Sequence, residues 1–222
     1  MSACFSRLEI KALSPLFPKQ VEMGRTGNQS GSWKIQINGL SSLIEYRSQI
    51  ASSLKDLRLV VEIGHGGGIL FHDHLCEQGF TGRYLGLDYS PNLQIPKAKL
   101  GYSSRQIDAL NLTAMRLLIG RVPLAAVVSS GSLDYLHPLG FQQGDDRVGV
   151  LADTLSRYPA NIQWHTEVLT GGERIKAALV AQGWQVFQVG YMGTENQYLF
   201  SVRSDAVVPK SVAALVEELK AR

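Results

Sequence analysis

The sequence predicts an α/β fold built on a mostly parallel sheet that ends in an antiparallel hairpin. Three observations carry this expectation. From about residue 57 onward, apolar strand-like runs alternate with helix-like segments, the pattern of a parallel sheet with helical crossovers. The first run, Val60-Val61-Glu62-Ile63, passes directly into the glycine cluster Gly64-His65-Gly66-Gly67-Gly68, a strand feeding a tight turn where missing Cβ atoms let a ligand approach the backbone. Towards the end of the chain two further runs flank Gly193-Thr194-Glu195-Asn196, a turn that suits a hairpin.

The elements follow in order. Leu57 to Ile63 is the first buried strand, and Ile69 to Gln78 the first helix, with Ile69, Leu70, Leu75 and Cys76 as its core face before Gly79 stops it. Arg83 to Asp88 is the second strand. A helix over Pro91 to Leu100 is interrupted at Pro96, and Ser104 to Ala109 makes a short third strand. After a helix from Leu110 to Leu118, Leu124 to Ser129 reads as a near-continuous apolar strand, as expected when both faces of a sheet are covered. Asp146 to Tyr158 is helical, with Val148, Leu151 and Leu155 at helical spacing and the pair Asp145-Asp146 favoured at its N-terminus by the helix dipole. Asn161 to Val168 is the fifth strand and Gly172 to Gly183 the next helix. Trp184 to Val189 and Gln197 to Val202 form the hairpin. A last helix runs from Ser211 to Lys220, with Val212, Leu215, Val216 and Leu219 on one face.

Composition bounds the organisation. With 222 residues and 45% hydrophobic content, the chain can bury one sizeable core, read here as one domain over residues 57–222 preceded by an N-terminal extension over residues 1–56. That extension holds the polar stretch from Gly24 to Gly31, a strand-like run from Trp33 to Ile37 and a helix from Leu40 to Leu54. It reads either as a substrate lid or as a tail followed by a supporting helix. No apolar stretch approaches the roughly 20 residues that span a bilayer, and Met1 to Arg7 lacks the layout of a signal peptide, so a cytoplasmic, non-membrane protein is expected. Cys4 and Cys76, far apart in sequence, suggest neither a disulfide framework nor a zinc site. Of the net charge of +3, residues 1–60 carry eight Lys/Arg against four acids, leaving −1 for the remainder. With no dense basic block and no aromatic-basic stripe, a nucleic-acid partner is not favoured.

The motif after the first strand selects a cofactor class. A dinucleotide fingerprint, G-x-G-x-x-G, begun at Gly64 would need glycine at position 69, which is Ile69, and begun at Gly66 it would need glycine where Phe71 stands. The spacing that fits is Glu62-x-Gly64-x-Gly66-x-Gly68. Asp88, at the end of Tyr84-Leu85-Gly86-Leu87-Asp88 on the neighbouring strand, is placed to accept hydrogen bonds from two ribose hydroxyls. A pyrophosphate would want a helix N-terminus aimed at it, which this spacing does not specify.

Glu62, Gly64, Gly66 and Gly68 resemble motif I of the class I S-adenosylmethionine (SAM)-dependent methyltransferases, and the likeness covers about residues 57 to 203. Asp88 resembles the acidic residue that holds the ribose. Gln106-Ile107-Asp108-Ala109 is similar to the third-strand motif, whose acid accepts from the adenine amine while the next backbone amide meets the ring. Val127-Val128-Ser129-Ser130-Gly131-Ser132-Leu133 is similar to the fourth-strand segment that floors the cofactor. The resemblance implies a three-layer Rossmann-like fold with a seven-stranded, mostly parallel sheet. It also implies a SAM site drawn from Glu62, Gly64, His65, Gly66, Gly68, Asp88, Tyr89, Asp108, Ala109, Ser129 and Ser130, with S-adenosylhomocysteine as product.

Departures from the family pattern narrow the chemistry. The fourth strand has Pro123-Leu124-Ala125 where an acid often stands, and it lacks an Asn/Asp-Pro-Pro-Tyr/Phe motif, which disfavours amino-group methylation through that motif. Trp164-His165-Thr166-Glu167 does not supply the carboxylate set of the magnesium-dependent catechol type, so no catalytic metal is expected. His72-x-His74 lacks the i, i+4 spacing of a helical metal pair and reads as helix surface. His137, in Leu133-Asp134-Tyr135-Leu136-His137-Pro138, is the candidate general base, against a plain structural role in a loop. His165 reads as a satisfied sheet residue. The function expected is methyl transfer to a small-molecule acceptor. A SAM-dependent reaction without methyl transfer, such as a cyclisation, or a non-catalytic binding role, stays open, and a homodimer is compatible with the sequence.

Overall fold

A computed structural model describes residues 44–65, 70–88, 101–130, 132–133, 136, 145–168, 171–192 and 196–221. Several expectations lie outside these residues: the strand-like run and polar stretch of the extension, Gly66 and Gly68, Tyr89, the helix over Pro91 to Leu100, Asp134, Tyr135 and His137.

Seven strands form one sheet: β1 (Leu59–Ile63), β2 (Arg83–Asp88), β3 (Tyr102–Gln106), β4 (Ala125–Ser130), β5 (Ile162–Val168), β6 (Trp184–Met192) and β7 (Asn196–Arg203). Their order is β3-β2-β1-β4-β5-β7-β6. The first five run parallel, with Val61 opposite both Leu85 of β2 and Val127 of β4. β7 pairs antiparallel with β5 on one side and with β6 on the other. The expected parallel sheet with a terminal antiparallel hairpin is the one observed.

Helices cover both faces, giving three layers. Over one face lie α3 (Leu112–Ile119), α4 (Arg147–Ser156) and α5 (Gly172–Ala181), with Met115, Ile119, Leu151, Leu155, Ile175 and Leu179 buried against Val61, Ile63 and Val127. Over the other lie α1 (Ile44–Ser53), α2 (Leu70–Glu77) and α6 (Lys210–Lys220), with Ile50, Phe71, Leu75, Val212 and Leu215 against Val60, Tyr84, Val128 and Trp164. Because both faces are covered, all five residues of β1 are buried, which is why its sequence is a continuous apolar run broken only by Glu62. A 3-10 turn, Leu54–Asp56, joins α1 to the sheet, and Ser211 Oγ ties α6 to this turn, its single proton shared between Ser53 O at 3.0 Å and Asp56 Oδ2 at 2.9 Å. No helix among the described residues is long and apolar enough to cross a membrane.

Local chemistry sets the boundaries. Asn111 caps α3 by accepting from Ala114 N at 3.0 Å, so the helix starts two residues later than its apolar pattern suggests. Asp146 caps α4 through Gly149 N at 3.0 Å, at the helix N-terminus where the Asp145-Asp146 signal places it, and it also pairs with Arg174, which no sequence signal announces. β3 begins at Tyr102 and ends at Gln106, rather than running from Ser104 to Ala109. It is an edge strand with only Tyr102 and Ser104 buried, so its polar sequence hides it, while Asp108 and Ala109 belong to the following turn. On α2 Leu75 is fully buried as expected, but His72, expected at the surface, is 3% exposed, and Cys76, expected in the core, is exposed. The His72 ring lies against the rings of Tyr84 and Tyr102, with centroids 5.2 and 5.5 Å away, an aromatic shelf that periodicity does not reveal.

Candidate functional site

The sheet order places β1 between β2 and β4, so crossovers leave β1 and β4 in opposite directions and open a crevice at their C-terminal ends. Glu62, at that end of β1, is buried at 3% exposure, and its Oε2 accepts the Tyr84 hydroxyl at 2.7 Å. Tyr84 stacks on Tyr102 at 5.8 Å. Burial first, and then the Glu62 carboxylate, hold both phenols well above their ordinary range; Asp88 adds to the effect on Tyr102. Both remain neutral donors at physiological pH.

The turn after β1 is clamped from two sides. Gly64 takes a φ of +70° and donates to Leu87 O at 2.7 Å, with His65 N donating to the same carbonyl at 3.3 Å. A Cβ on Gly64 would stand 2.4 Å from Ser132 Cβ, while Ser132 Oγ donates to Ile63 O at 2.7 Å. The position therefore requires glycine both for its conformation and for the approach of Ser132. The His65 ring is 3% exposed and lies over Gly86, where any Cβ would be 2.8 Å from it, and its Nδ1 is 3.3 Å from Tyr102 Oη. His65 thus anchors the turn with its ring and with its backbone N–H.

Two carboxylates lie at the same end of the sheet as this turn. Asp88 ends β2, partly buried, and its carbonyl accepts from Ile107 N at 2.8 Å. Asp108 follows β3; its Oδ1 accepts from Leu110 N at 2.8 Å and its carbonyl from Asn111 N at 3.0 Å. Burial raises the Asp108 carboxyl above its usual range, and the Leu110 amide partly offsets this. Ala109 is fixed from below, because the fully buried Tyr158 donates to Ala109 O at 2.5 Å.

The two serines ending β4 part company. Ser130 lies in the layer of Glu62, 9% exposed, and its hydroxyl finds no hydrogen-bond partner among the described residues. Ser129 turns into the opposite layer, fully buried and 2.8 Å from His165 Nδ1. His165 Nε2 is 2.9 Å from Gln163 Oε1, and Gln163 Nε2 donates to Leu155 O at 2.7 Å. Since Leu155 O can only accept, the Gln163 amide is oriented, His165 carries its proton on Nε2, and Ser129 donates to Nδ1. Burial alone pushes the His165 pKa down to about 3. His165 is the satisfied sheet residue the sequence suggests, and its neutral ring is a structural link. Among the described residues no group of three or more His, Cys, Asp or Glu could hold a metal ion.

The supports beneath the site, Tyr84, Tyr102, Ser132 and Tyr158, escape sequence reasoning because each acts across strands. Gly86 offers the one available signal, a glycine inside a strand run marking close approach of another group.

Comparison with solved structures identifies the architecture. An O-methyltransferase family protein from Burkholderia thailandensis matches with a TM-score of 0.51 at 11% identity, over 81% of this chain and 62% of that one. The fold is that of the class I SAM-dependent methyltransferases. The 1,6-didemethyltoxoflavin N1-methyltransferase of the same organism, solved with its substrate and S-adenosylhomocysteine, matches with a TM-score of 0.46 at 13% identity, over 83% of this chain and 94% of that one. MNMC2 from Aquifex aeolicus matches with a TM-score of 0.45 at 12% identity, over 76% and 62%. The chain thus spans 62% of the length of two of these methyltransferase-fold structures. No protein-family model and no curated protein matches the sequence, so the likeness is one of fold.

Proposed function

We propose that the chain is a SAM-dependent methyltransferase acting on a small-molecule acceptor, with S-adenosylhomocysteine as its second product. The observation that carries the reading is that Asp88, ending β2, and Asp108, just after β3, stand at the same C-terminal end of the sheet as the clamped Gly64 turn. The donor chemistry fits: SAM presents ribose hydroxyls and an adenine amine, both hydrogen-bond donors, towards two acceptors. The buried Ser130 hydroxyl supplies a further polar group in the layer of Glu62.

When bound, SAM supplies an activated methyl carbon. Asp88 holds the ribose hydroxyls; Asp108 and the Ala109 amide, steadied by Tyr158, hold the adenine. The Glu62–Tyr84 pair keeps the floor of the turn rigid. In-line displacement asks chiefly for orientation, which such a rigid floor provides, plus a base if the nucleophile is protonated. His137 is our candidate for that base.

Calorimetric titration of the purified protein with SAM and with S-adenosylhomocysteine, repeated on Asp88→Ala, tests the reading. Charged hydrogen bonds of about 1.5–3 kcal/mol predict a loss of roughly tenfold to a hundredfold in affinity. Absence of binding to the unaltered protein, or equal binding by both proteins, would overturn it.

A further inference from the structure

A cleft of about 600 Å³ opens at the N-terminal ends of β4 and β5, at the opposite end of the sheet from Asp88 and Asp108. A volume in this range suits a small organic ligand. Its apolar wall includes Pro123, Leu124, Pro159 and Val207, the last of them 87% exposed, and its polar groups are Asn161, Arg203 and Asp205. These polar groups are held in place with hydrogen-bonding capacity to spare. Arg203 lies over the Trp184 ring, 4.6 Å from its centroid, and donates from Nη1 to Gln182 O at 3.0 Å and from Nη2 to Tyr158 O at 3.4 Å. A guanidinium has five N–H groups, so three remain. Asn161 Oδ1 accepts from Ala125 N at 3.1 Å, which orients the amide and leaves its Nδ2 hydrogens uncommitted among the described residues. Asp205 makes no hydrogen bond or ion pair among the described residues, with Arg203 or with any other group. Two opposite charges therefore line one cleft without neutralising each other.

Leu124 adds an independent observation. Among the described residues it is the one non-glycine with a positive φ, +61°, a conformation that glycine adopts far more readily. Bonds on both sides pin it there: Leu124 O accepts from Arg58 N at 3.1 Å, and Ala125 is held by Asn161 through both its N–H and its C=O. Strained residues fixed in this way cluster at ligand clamps, and this one presents a half-buried apolar side chain to the cleft. We propose that the cleft binds a zwitterionic amino acid with a large apolar side chain. The carboxylate meets Arg203 and the Asn161 amide, the ammonium meets Asp205, and the side chain lies against Leu124, the two prolines and Val207. A ligand bearing only one of the two charges would meet a like charge that nothing neutralises. The site does not depend on the methyltransferase reading, since none of its lining residues belongs to the crevice.

The test is a heteronuclear NMR titration of the full chain in the presence of excess S-adenosylhomocysteine. The probes are L-phenylalanine, 3-phenylpropanoate, which lacks the ammonium, and phenethylamine, which lacks the carboxylate. L-Phenylalanine should bind saturably, with shifts centred on residues 123–125, 159–161 and 203–207, and about threefold to tenfold more tightly than either truncated probe. Asp205→Asn, at an exposed position, should weaken L-phenylalanine binding severalfold without weakening that of 3-phenylpropanoate. The proposal is overturned by no saturation up to about 10 mM, by shifts centred instead on the C-terminal ends of β1 and β4, or by equal binding of L-phenylalanine and 3-phenylpropanoate. Unchanged L-phenylalanine affinity in Asp205→Asn would overturn it too.

Discussion

Replacing His165 with glutamine should flatten the acid dependence of stability. His165 is fully buried, neutral, and linked on both ring nitrogens, to Ser129 and Gln163. Its pKa in the folded protein is pushed down to about 3, against about 6.5 for an unfolded histidine. Between these values the unfolded chain binds a proton that the folded chain refuses, so stability falls as pH drops through 6.5 and levels off only near 3. From pH 7.5 to pH 5 this one group should remove about 2 kcal/mol, which is about 4–8 °C in Tm for a domain of this size. Urea unfolding of both proteins at the two pH values is the assay. His165→Gln loses one hydrogen bond at every pH, which lowers both of its midpoints, but it cannot take up the proton. The wild-type decrease should therefore exceed the variant's by about 2 kcal/mol. His74, whose pKa burial also lowers, titrates in both proteins and cancels. Equal decreases in the two proteins would refute the reasoning, because they would mean that His165 is protonated within the fold.

Two further outcomes follow from the same geometry. Gly64→Ala should cost about 2–5 kcal/mol, combining a left-handed backbone with the contact against Ser132; adding Ser132→Gly should recover the contact part but not the backbone part, and strict additivity in a double-mutant cycle would count against the clamp. Tyr158→Phe leaves the Ala109 carbonyl buried without its donor, so it should lower the unfolding free energy by about 1–3 kcal/mol and weaken SAM binding severalfold, whereas an unchanged urea midpoint would show that the tyrosine does not steady the turn.

The architecture was legible wherever one residue's neighbours along the chain decide its fate. β2 runs from Arg83 to Asp88 as its apolar pattern says, β1 and β5 start two and one residues later than expected, and β4 is shifted by one residue at each end. Legibility failed where a partner from elsewhere decides. β3 is polar because it lies at the edge of the sheet, so its start at Tyr102 left little trace. His72 looked like surface because nothing in its own helix announces the stacked Tyr84 and Tyr102. Ser129 and Ser130 are adjacent and chemically identical, yet one serves the core through His165, 36 positions away, and the other is buried with no hydroxyl partner among the described residues. At the candidate site, Glu62, Gly64, Asp88 and Asp108 stood out as spaced motif residues, whereas the groups that brace them were invisible until the strands were paired.

The insertion of β7 between β5 and β6 governs when the fold can be completed during synthesis. β6 leaves the ribosome first, but it has no partner on the growing sheet until β7 emerges and pairs with both neighbours. Until residue 203 has been made, β5 presents a bare edge, and Ile162 and Trp164 lack the covering layer that α6 later helps to supply. The nascent chain must therefore hold a half-built sheet through its parallel strands alone, a state open to edge pairing with other chains and to recognition by chaperones. Closure requires both the β6–β7 hairpin and α6, whose Ser211 ties it to the turn that follows α1.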